Sequence, residues 1–432
     1  MTNRALTILA CALGALLLAS GCSDQCDPDE LGTFCTIVGS GDNGYDRDAD
    51  STAYRATEAR MSLPQDVLAA PDGTLYVLDW NNHRLRHLGS DGMLRWVAGR
   101  GELGGTLDDP ASGDFNHPTN IIFDESGTSL VMAAWHNSMI RTVDLETGEV
   151  SDSCGDGRRA YFGDDGPAIE SALDLPASVT WSPSGDLVIM DQANQVLRAV
   201  GPDGQIRLLA GRCIVDAPAP GGPGPCADGE EPVQCPPDPS GLPSGKYVCG
   251  DPAEWCSSPC TPGYAGDELP ASAMRMSQPF GQSATPAGRI AYDAEGSLYF
   301  ADTGNHLIRR IDPDGIVHRV AGQAPVDGVP QRGFGGDGGP ARDALLDYPV
   351  DLAFDEDGTL YFTDVHNHCV RAIAPDGTIS TAVGVCGERG FAGDGLPPEQ
   401  ARLNLPFGVE YRDGVLYVSD TGNNVIRQLR LR

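Results

Sequence analysis

Six copies of one twelve-residue phrase punctuate this chain. Residues 298–309 read LYFADTGNHLIR. The same positions return as LYVLDWNNHRLR (75–86), LVMAAWHNSMIR (130–141), LVIMDQANQVLR (187–198), LYFTDVHNHCVR (360–371) and LYVSDTGNNVIR (416–427). Every copy has Asn at its eighth position (Asn82, Asn137, Asn194, Asn305, Asn367, Asn423), and every copy ends on Arg (Arg86, Arg141, Arg198, Arg309, Arg371, Arg427). Such a recurrence decides architecture before any single residue does. Each copy is one supersecondary unit that must stack on its neighbours to bury its apolar faces.

The full unit is longer. Its cleanest copy, residues 349–384, splits into four apolar runs, VDLAFD, TLYFTD, CVRAIA and TISTAV, separated by EDG, HNH and PDG. Period-two alternation rich in Val, Ile, Leu, Tyr and Phe predicts strands, and the Asp-Gly pairs predict hairpins, since Gly supplies a positive φ without steric cost. Four antiparallel strands per unit, repeated at about blade length, predict an all-β fold: a six-bladed β-propeller of four-stranded antiparallel blades. The sixth unit stops at Arg432 after three strands, and TFCTIVGSGDNGY (33–45) matches the missing fourth. The N-terminal strand is therefore expected to close the last blade and hide its open edge. One domain over 33–432 is expected, preceded by a tether at 22–32.

These residues resemble the NHL repeat, whose pattern P-x-x-[VIL]-A-x-D-x-x-G-x-L-Y-[VF]-x-D-x-x-N-H-x-[IVL]-R the fourth and fifth units follow nearly letter for letter. The linking segments GYAGDELPA (263–271), GFGGDGGPA (333–341) and GFAGDGLPP (390–398) are similar to those of teneurin-type NHL propellers. The resemblance covers essentially the whole mature chain. It implies the fold and says little about activity.

Residues 1–21 read as a signal peptide: Arg4, then the apolar ALTILACALGALLLAS. The run A-S-G-C resembles a bacterial lipobox with Cys22 as the acylated residue; the other reading is ordinary cleavage that leaves Cys22 free. Acyl chains worth about 0.8 kcal/mol per buried CH₂ would hold the protein on a membrane surface without spanning it, and Ser23 after the Cys points to the outer membrane. Membrane contact is expected through that anchor alone. Thirteen cysteines suit an oxidising compartment. Cys369, where the other repeats carry Arg, Met, Val or Leu, is expected to be a buried free thiol. Ten others outside the signal are available for disulfides. Six of these (Cys213, Cys226, Cys235, Cys249, Cys256, Cys260) crowd a Pro/Gly-rich insertion at about 212–262, after the third unit, too poor in apolar residues to build a core. The net charge of −32 repels nucleic acid, which is excluded as a partner.

Candidate chemistry is weighed against the repeat. The recurring Asp79, Asp191, Asp302, Asp364 and Asp420 are expected to serve the turn that follows them or to pair with the repeated Arg. His83, His306 and His368 belong to the repeated turn, although His366 and His368 form an H-x-H that could grip a metal. Peptidyl-amidating lyases are similar NHL propellers with zinc-binding histidines just after the Pro that opens strand one. Gln65, Thr119, Ala177, Phe280 (or Ala287), Val350 and Phe407 stand there, so that site is missing. One residue on, Asp66, Asn120, Ser178, Asp351 and Gly408 should face the central channel. Resemblance to gluconolactonase-like propellers implies a divalent cation held by Asp66, Asn120 and Asp351, and a metal-dependent hydrolase or lactonase. Asp46, Asp48 and Asp50 imitate the start of a calcium loop, with Ser51 and Thr57 departing from its pattern. In units one and two the strand-two turn opens on Trp80 and Trp135, with His136 beside the second and Ala134 in place of the repeated Asp. Such indoles suit stacking on a glycan or clamping a peptide; otherwise they pack beneath the linking loops. No nucleophile elbow or phosphate loop is found. The reading favoured is a non-catalytic binding propeller at the cell envelope that recognises a protein, peptide or glycan, with no cofactor required beyond a divalent cation such as calcium; the hydrolase is the alternative.

Overall fold

In a computed structural model the described residues are 26–45, 53–104, 114–215, 218–219, 222–223, 233–237, 246–248, 259–281 and 283–432. Cys22 and the loop carrying Asp46, Asp48 and Asp50 lie outside them. Each apolar run of the repeat is a strand. In the fifth blade the strands are Pro349–Phe354, Leu360–Asp364, Cys369–Ile373 and Ile379–Val383, paired antiparallel in chain order. Six such meanders occur. In the first, third and fourth, a two-residue strand from the preceding link (Tyr54–Arg55, Gly166–Pro167, Leu269–Pro270) adds to the outer edge.

The innermost strands, Asp66–Ala69, Pro118–Phe123, Pro176–Trp181, Ile290–Tyr292, Pro349–Phe354 and Gly408–Arg412, are each packed beside the next, and the last returns to the first. The circle closes through the chain's N-terminal region. Phe34–Val38 pairs antiparallel with Val425–Arg430, placing Phe34 opposite Leu429 and Thr36 opposite Arg427. Apolar clusters fill the spaces between neighbouring sheets, as where Phe362, Leu352 and Ile373 of blade five meet Leu346 and Ala341 of the link before it.

The repeated phrase encodes the joint between blades. Strand two ends on Asp; three residues of 3₁₀ turn follow, then a residue at φ 53° to 59° (His83, Ser138, Gln195, His306, His368 or Asn424). The six Asn side chains all donate to a linking-loop carbonyl, those of Gly44, Gly104, Ala160, Gly263, Gly333 and Gly390, at 2.8–3.0 Å. In five blades the same amide also donates to the Asp, as Asn367 does to Asp364 at 2.9 Å. That Asp accepts a backbone N–H at the start of its own blade's inner strand, for example Asp347 N–H at 2.8 Å. In blade two Ala134 cannot, and Asn137 Oδ1 takes the equivalent N–H of Asn116 directly at 2.9 Å. The terminal Arg lies inside the sheet and reaches back to the link. Arg371 donates to the Gly335 carbonyl and to Asp337 and stacks under Phe334 at 5.2 Å. Arg198 with Tyr161, Arg309 with Tyr264 and Arg427 with Phe391 repeat the device.

The left-handed residue ties each blade to the next. His83, His306 and His368 accept the N–H of His117, Tyr348 and Leu405 through Nδ1 at 3.0–3.2 Å. Gln195 serves Gln278 and Asn424 serves Leu63 in the same way. His366 instead stacks on Tyr348 beside Asp347, so the H-x-H pair is divided between two tasks and does not chelate.

The cysteines correct one expectation. Cys369 is not a thiol: it is bonded to Cys386, with Cα atoms 5.1 Å apart. The physical reason is register, because Val370 pairs with Val383 and Cys369 therefore lies against the turn that leaves strand four. The buried free thiol is Cys154, which burial pushes up to about 11. Cys26–Cys35 and Cys213–Cys260 are the other described disulfides, and Cys235 is also disulfide-bonded. The Cys213–Cys260 bond, with Cα atoms 5.0 Å apart, joins the two ends of the insertion where it leaves and rejoins the ring. Within the insertion Ile214–Val215 pairs with Tyr247–Val248, and that strand with Val233–Gln234.

Blade two lacks one of these ties, since Ser138 is short and its hydroxyl is buried without a partner. Ser138→Asn adds the acceptor that Asn424 supplies in blade six and suits the left-handed backbone. Chemical denaturation should show a gain of about 1 kcal/mol; a loss would show that the joint is not built as described.

Candidate functional site

Inner-strand register settles what faces the channel. Asp66 pairs with Leu78, Asn120 with Ala133, Ser178 with Met190 and Gly408 with Ser419, all equivalent positions. Asp351 donates its N–H to Thr363 Oγ1 at the same level. In blade four this position is Arg289, whose carbonyl accepts the Ala301 N–H.

Arg289 is 1% exposed, and its guanidinium fills the centre of the ring. Nη1 lies 3.1 Å from Asp66 Oδ1 and 3.9 Å from Asp351 Oδ2, and Nη2 donates to the carbonyls of Thr119 and Gln65. The carboxylates are engaged elsewhere too. Asp66 Oδ2 accepts from Asn120 Nδ2 and the Ile121 N–H, and Asp351 accepts the N–H groups of Leu352 and Val409. Asn120 Oδ1 accepts the Val179 N–H. The expected divalent-cation site is thus corrected. These donors already surround a permanent cation on the chain itself, and a metal ion there would meet a guanidinium at contact distance. Among the described residues no three His, Cys, Asp or Glu converge to hold a metal. No hydrolytic step is therefore derived through Asp66, Asn120 and Asp351.

Arg289 escaped the sequence reading because blade four opens irregularly: GQSATPAGRI has no Pro at the usual spacing. Counting back from the first hairpin finds it, since RIAYDAEG (289–296) aligns with DLAFDEDG (351–358). One further acid shares the channel. Glu410 lies two residues beyond Gly408 and so on the same wall. Burial, then the carboxylates of Asp66 and Asp351, push it up to about 8. Burial also raises Asp351 to about 6, against the pull of Arg289.

At the end of the ring formed by the strand-two turns, the two tryptophans part company. Trp135 is wholly buried and donates from Nε1 to Gln192 Oε1 at 3.2 Å. It is therefore corrected from a ligand anchor to a core residue. Gln192 also donates to the carbonyls of Pro279 and Thr285, drawing the long opening segment of blade four across blades two and three. Ala284 packs against the apolar cluster that contains Trp135, a feature the repeat could not reveal. Trp80 is half-buried, its ring 4.3 Å from His117 and 6.4 Å from Trp135, and its Nε1–H has no hydrogen-bond partner.

Around them stand three histidines. His117, missed in the sequence, precedes Pro118. His136 stacks on Trp135 at 4.2 Å and 23°, its Nδ1 is 3.0 Å from His117 Nδ1, and His117 Nδ1 is 2.8 Å from Asn116 Oδ1. Burial holds these imidazoles neutral, with His83 lowered to about 4 and His117 to about 3. Further round the same end, Phe280 is 44% exposed and lines a recess of about 490 Å³ with Pro262, Gly304 and Tyr348.

Comparison with known proteins agrees with this geometry. The NHL repeat model matches residues 346–373, within blade five. Protein SUPPRESSOR OF QUENCHING 1, chloroplastic, of Arabidopsis thaliana is 31% identical over 135 residues, 31% of this chain and 13% of that protein. Teneurin-m of Drosophila melanogaster is 24% identical over 402 residues, 87% of this chain and 12% of that protein. The chain thus spans only a small part of the length of these relatives. Two solved structures superpose over most of it. A protein of unknown function from Bacteroides thetaiotaomicron has a TM-score of 0.59 at 15% identity, covering 92% of this chain and 75% of that one. An auxiliary nutrient binding protein from the same organism has a TM-score of 0.56 at 13% identity, covering 91% and 75%. The chain is thus an all-β propeller with a match to the NHL repeat in blade five.

Two substitutions test the channel. Arg289→Met removes the cation between Asp66 and Asp351 and should cost about 3–5 kcal/mol in denaturant unfolding, since buried charges are left unpaired. Glu410 keeps its proton in the folded protein, whereas the unfolded chain releases it near 4.5. Stability therefore declines as pH climbs from about 4.5 to about 8. Glu410→Gln should flatten that decline and raise the melting temperature at pH 8; an unchanged pH profile would contradict the placement.

Proposed function

We propose that this chain is an exported binding propeller, held at the cell envelope through lipidated Cys22, which recognises a protein, peptide or glycan on the face of the strand-two turns. The observation that carries the reading is Trp80. Its counterparts Gln192, Thr303 and Thr421 are tied into the scaffold by hydrogen bonds, while Trp80 keeps part of its ring in solvent and its buried Nε1–H forms no such tie. A partly exposed indole face suits stacking against an apolar ligand surface. Phe280 adds a second exposed aromatic on the same face.

Export is supported by the disulfides Cys26–Cys35, Cys213–Cys260 and Cys369–Cys386, which persist in oxidising compartments. The fold shared with an auxiliary nutrient binding protein is in keeping with a binding role. The lactonase reading loses its support, because the axial position its cation would take belongs to Arg289.

The test is an array of glycans and peptides probed with the purified protein. Trp80→Ala should weaken a confirmed hit at least about tenfold, the effect of truncating an interfacial aromatic anchor, with the melting temperature nearly kept. Trp135→Ala should destabilise the fold by about 3–5 kcal/mol. A hit bound equally well by Trp80→Ala and Phe280→Ala would show that the ligand lies elsewhere.

A further inference from the structure

The imidazoles of His117 and His136 come from two parts of blade two, the residue before its inner strand and its strand-two turn; their Nδ1 atoms are 3.0 Å apart and their ring centroids 4.8 Å apart at 86°. Two ligand nitrogens at this spacing subtend about 94° at a metal roughly 2.05 Å from each. With the metal on each ring's lone-pair axis, the centroids would then lie roughly 4.7 Å apart, whereas a straight N–H···N bond would hold them at roughly 5.3 Å. The observed separation matches the bent arrangement, in which the two lone pairs converge to one side of the line joining the nitrogens. An angle near 90° is the cis angle of tetragonal and octahedral sites and too narrow for tetrahedral zinc.

Ring contacts and main-chain hydrogen bonds fix both residues. Trp135 lies flat on His136 and is itself fixed by Gln192, and the His136 main-chain N–H donates to the Asn116 carbonyl at 3.1 Å. The His117 main-chain N–H donates to His83 Nδ1, and Trp80 lies 4.3 Å from the His117 ring. A third donor atom, Asn116 Oδ1, stands 2.8 Å from His117 Nδ1. Neither imidazole accepts the N–H of a following blade: in blade two the left-handed position that His83, His306 and His368 occupy elsewhere is Ser138. His117 and His136 are half-buried, so an ion can reach them from solvent.

We propose that the mouth between blades one and two is a binding site for a tetragonal divalent transition metal of the copper(II) or nickel(II) class. His117 Nδ1 and His136 Nδ1 are cis ligands, Asn116 Oδ1 is a third, and water completes the shell. The site lies apart from the channel acids and does not depend on what the surrounding face binds.

Copper(II) added at or below one equivalent to tag-free protein, followed by electron paramagnetic resonance, tests this. An axial spectrum with coupling to two imidazole nitrogens is expected, with affinity at least tenfold weaker in His117→Gln and in His136→Gln. His366→Gln, on the same face, should bind as the wild type does. A wild type that binds no copper(II), or a spectrum unchanged in both variants, overturns the proposal. Should a variant fail to fold, pulsed measurement on the wild type decides, since it counts the coordinated imidazoles: two are required, and one or none refutes the site.

Discussion

Everything in this molecule hangs on the carboxamide of the repeated Asn. It sits where strand two turns into strand three, buried or half-buried in every blade. Its two N–H bonds join the strand-two Asp to the carbonyl of the loop arriving from the previous blade. A buried amide with both donors met is close to neutral in energy, and one with a donor missing costs about 1–3 kcal/mol. The linking loop is thus constrained by what it would leave unsatisfied if it moved. The buried Arg acts beside it, so the loop is gripped at a carbonyl, at an Asp and at an aromatic ring over the guanidinium.

The fold was legible because this joint is written six times over. Alternation located the strands, and the match of residues 33–45 to a missing fourth strand anticipated the pairing of Phe34–Val38 with Val425–Arg430. The channel was legible only in part. Asp66, Asn120 and Asp351 do face it, but the residue that decides their chemistry belongs to the one blade whose opening departs from the pattern. Arg289 is 223 residues from Asp66 in sequence, and no local spacing announces that the two carboxylates have a cation between them. Trp135 was misjudged for a related reason. Gln192, which accepts its Nε1–H, also holds the carbonyls of Pro279 and Thr285, in a stretch that the repeat does not describe.

The histidines show how repetition and departure divide the labour. His83, His306 and His368 look like candidate ligands, yet each uses Nδ1 to accept a backbone N–H across a blade boundary. His136 was singled out in the sequence only as a neighbour of Trp135, and His117 escaped notice because it lies outside the repeated phrase. Blade two lost its Asp and its left-handed His and kept its fold because Asn137 took over the Asp's bond. What it gained is an arrangement of side chains with no counterpart in the other five.

The closing strand bears on mechanics. Any pull on the chain ahead of Cys26 crosses the Cys26–Cys35 bond directly, so residues 27–34 drop out of the load path. Force then enters the ring at Cys35, opposite Gln428, within the strand pair whose separation would open the circle. That covalent shortcut makes the closing strand a seam, loaded one residue inside its N-terminal end, and the strength of the whole ring under tension is the strength of that seam.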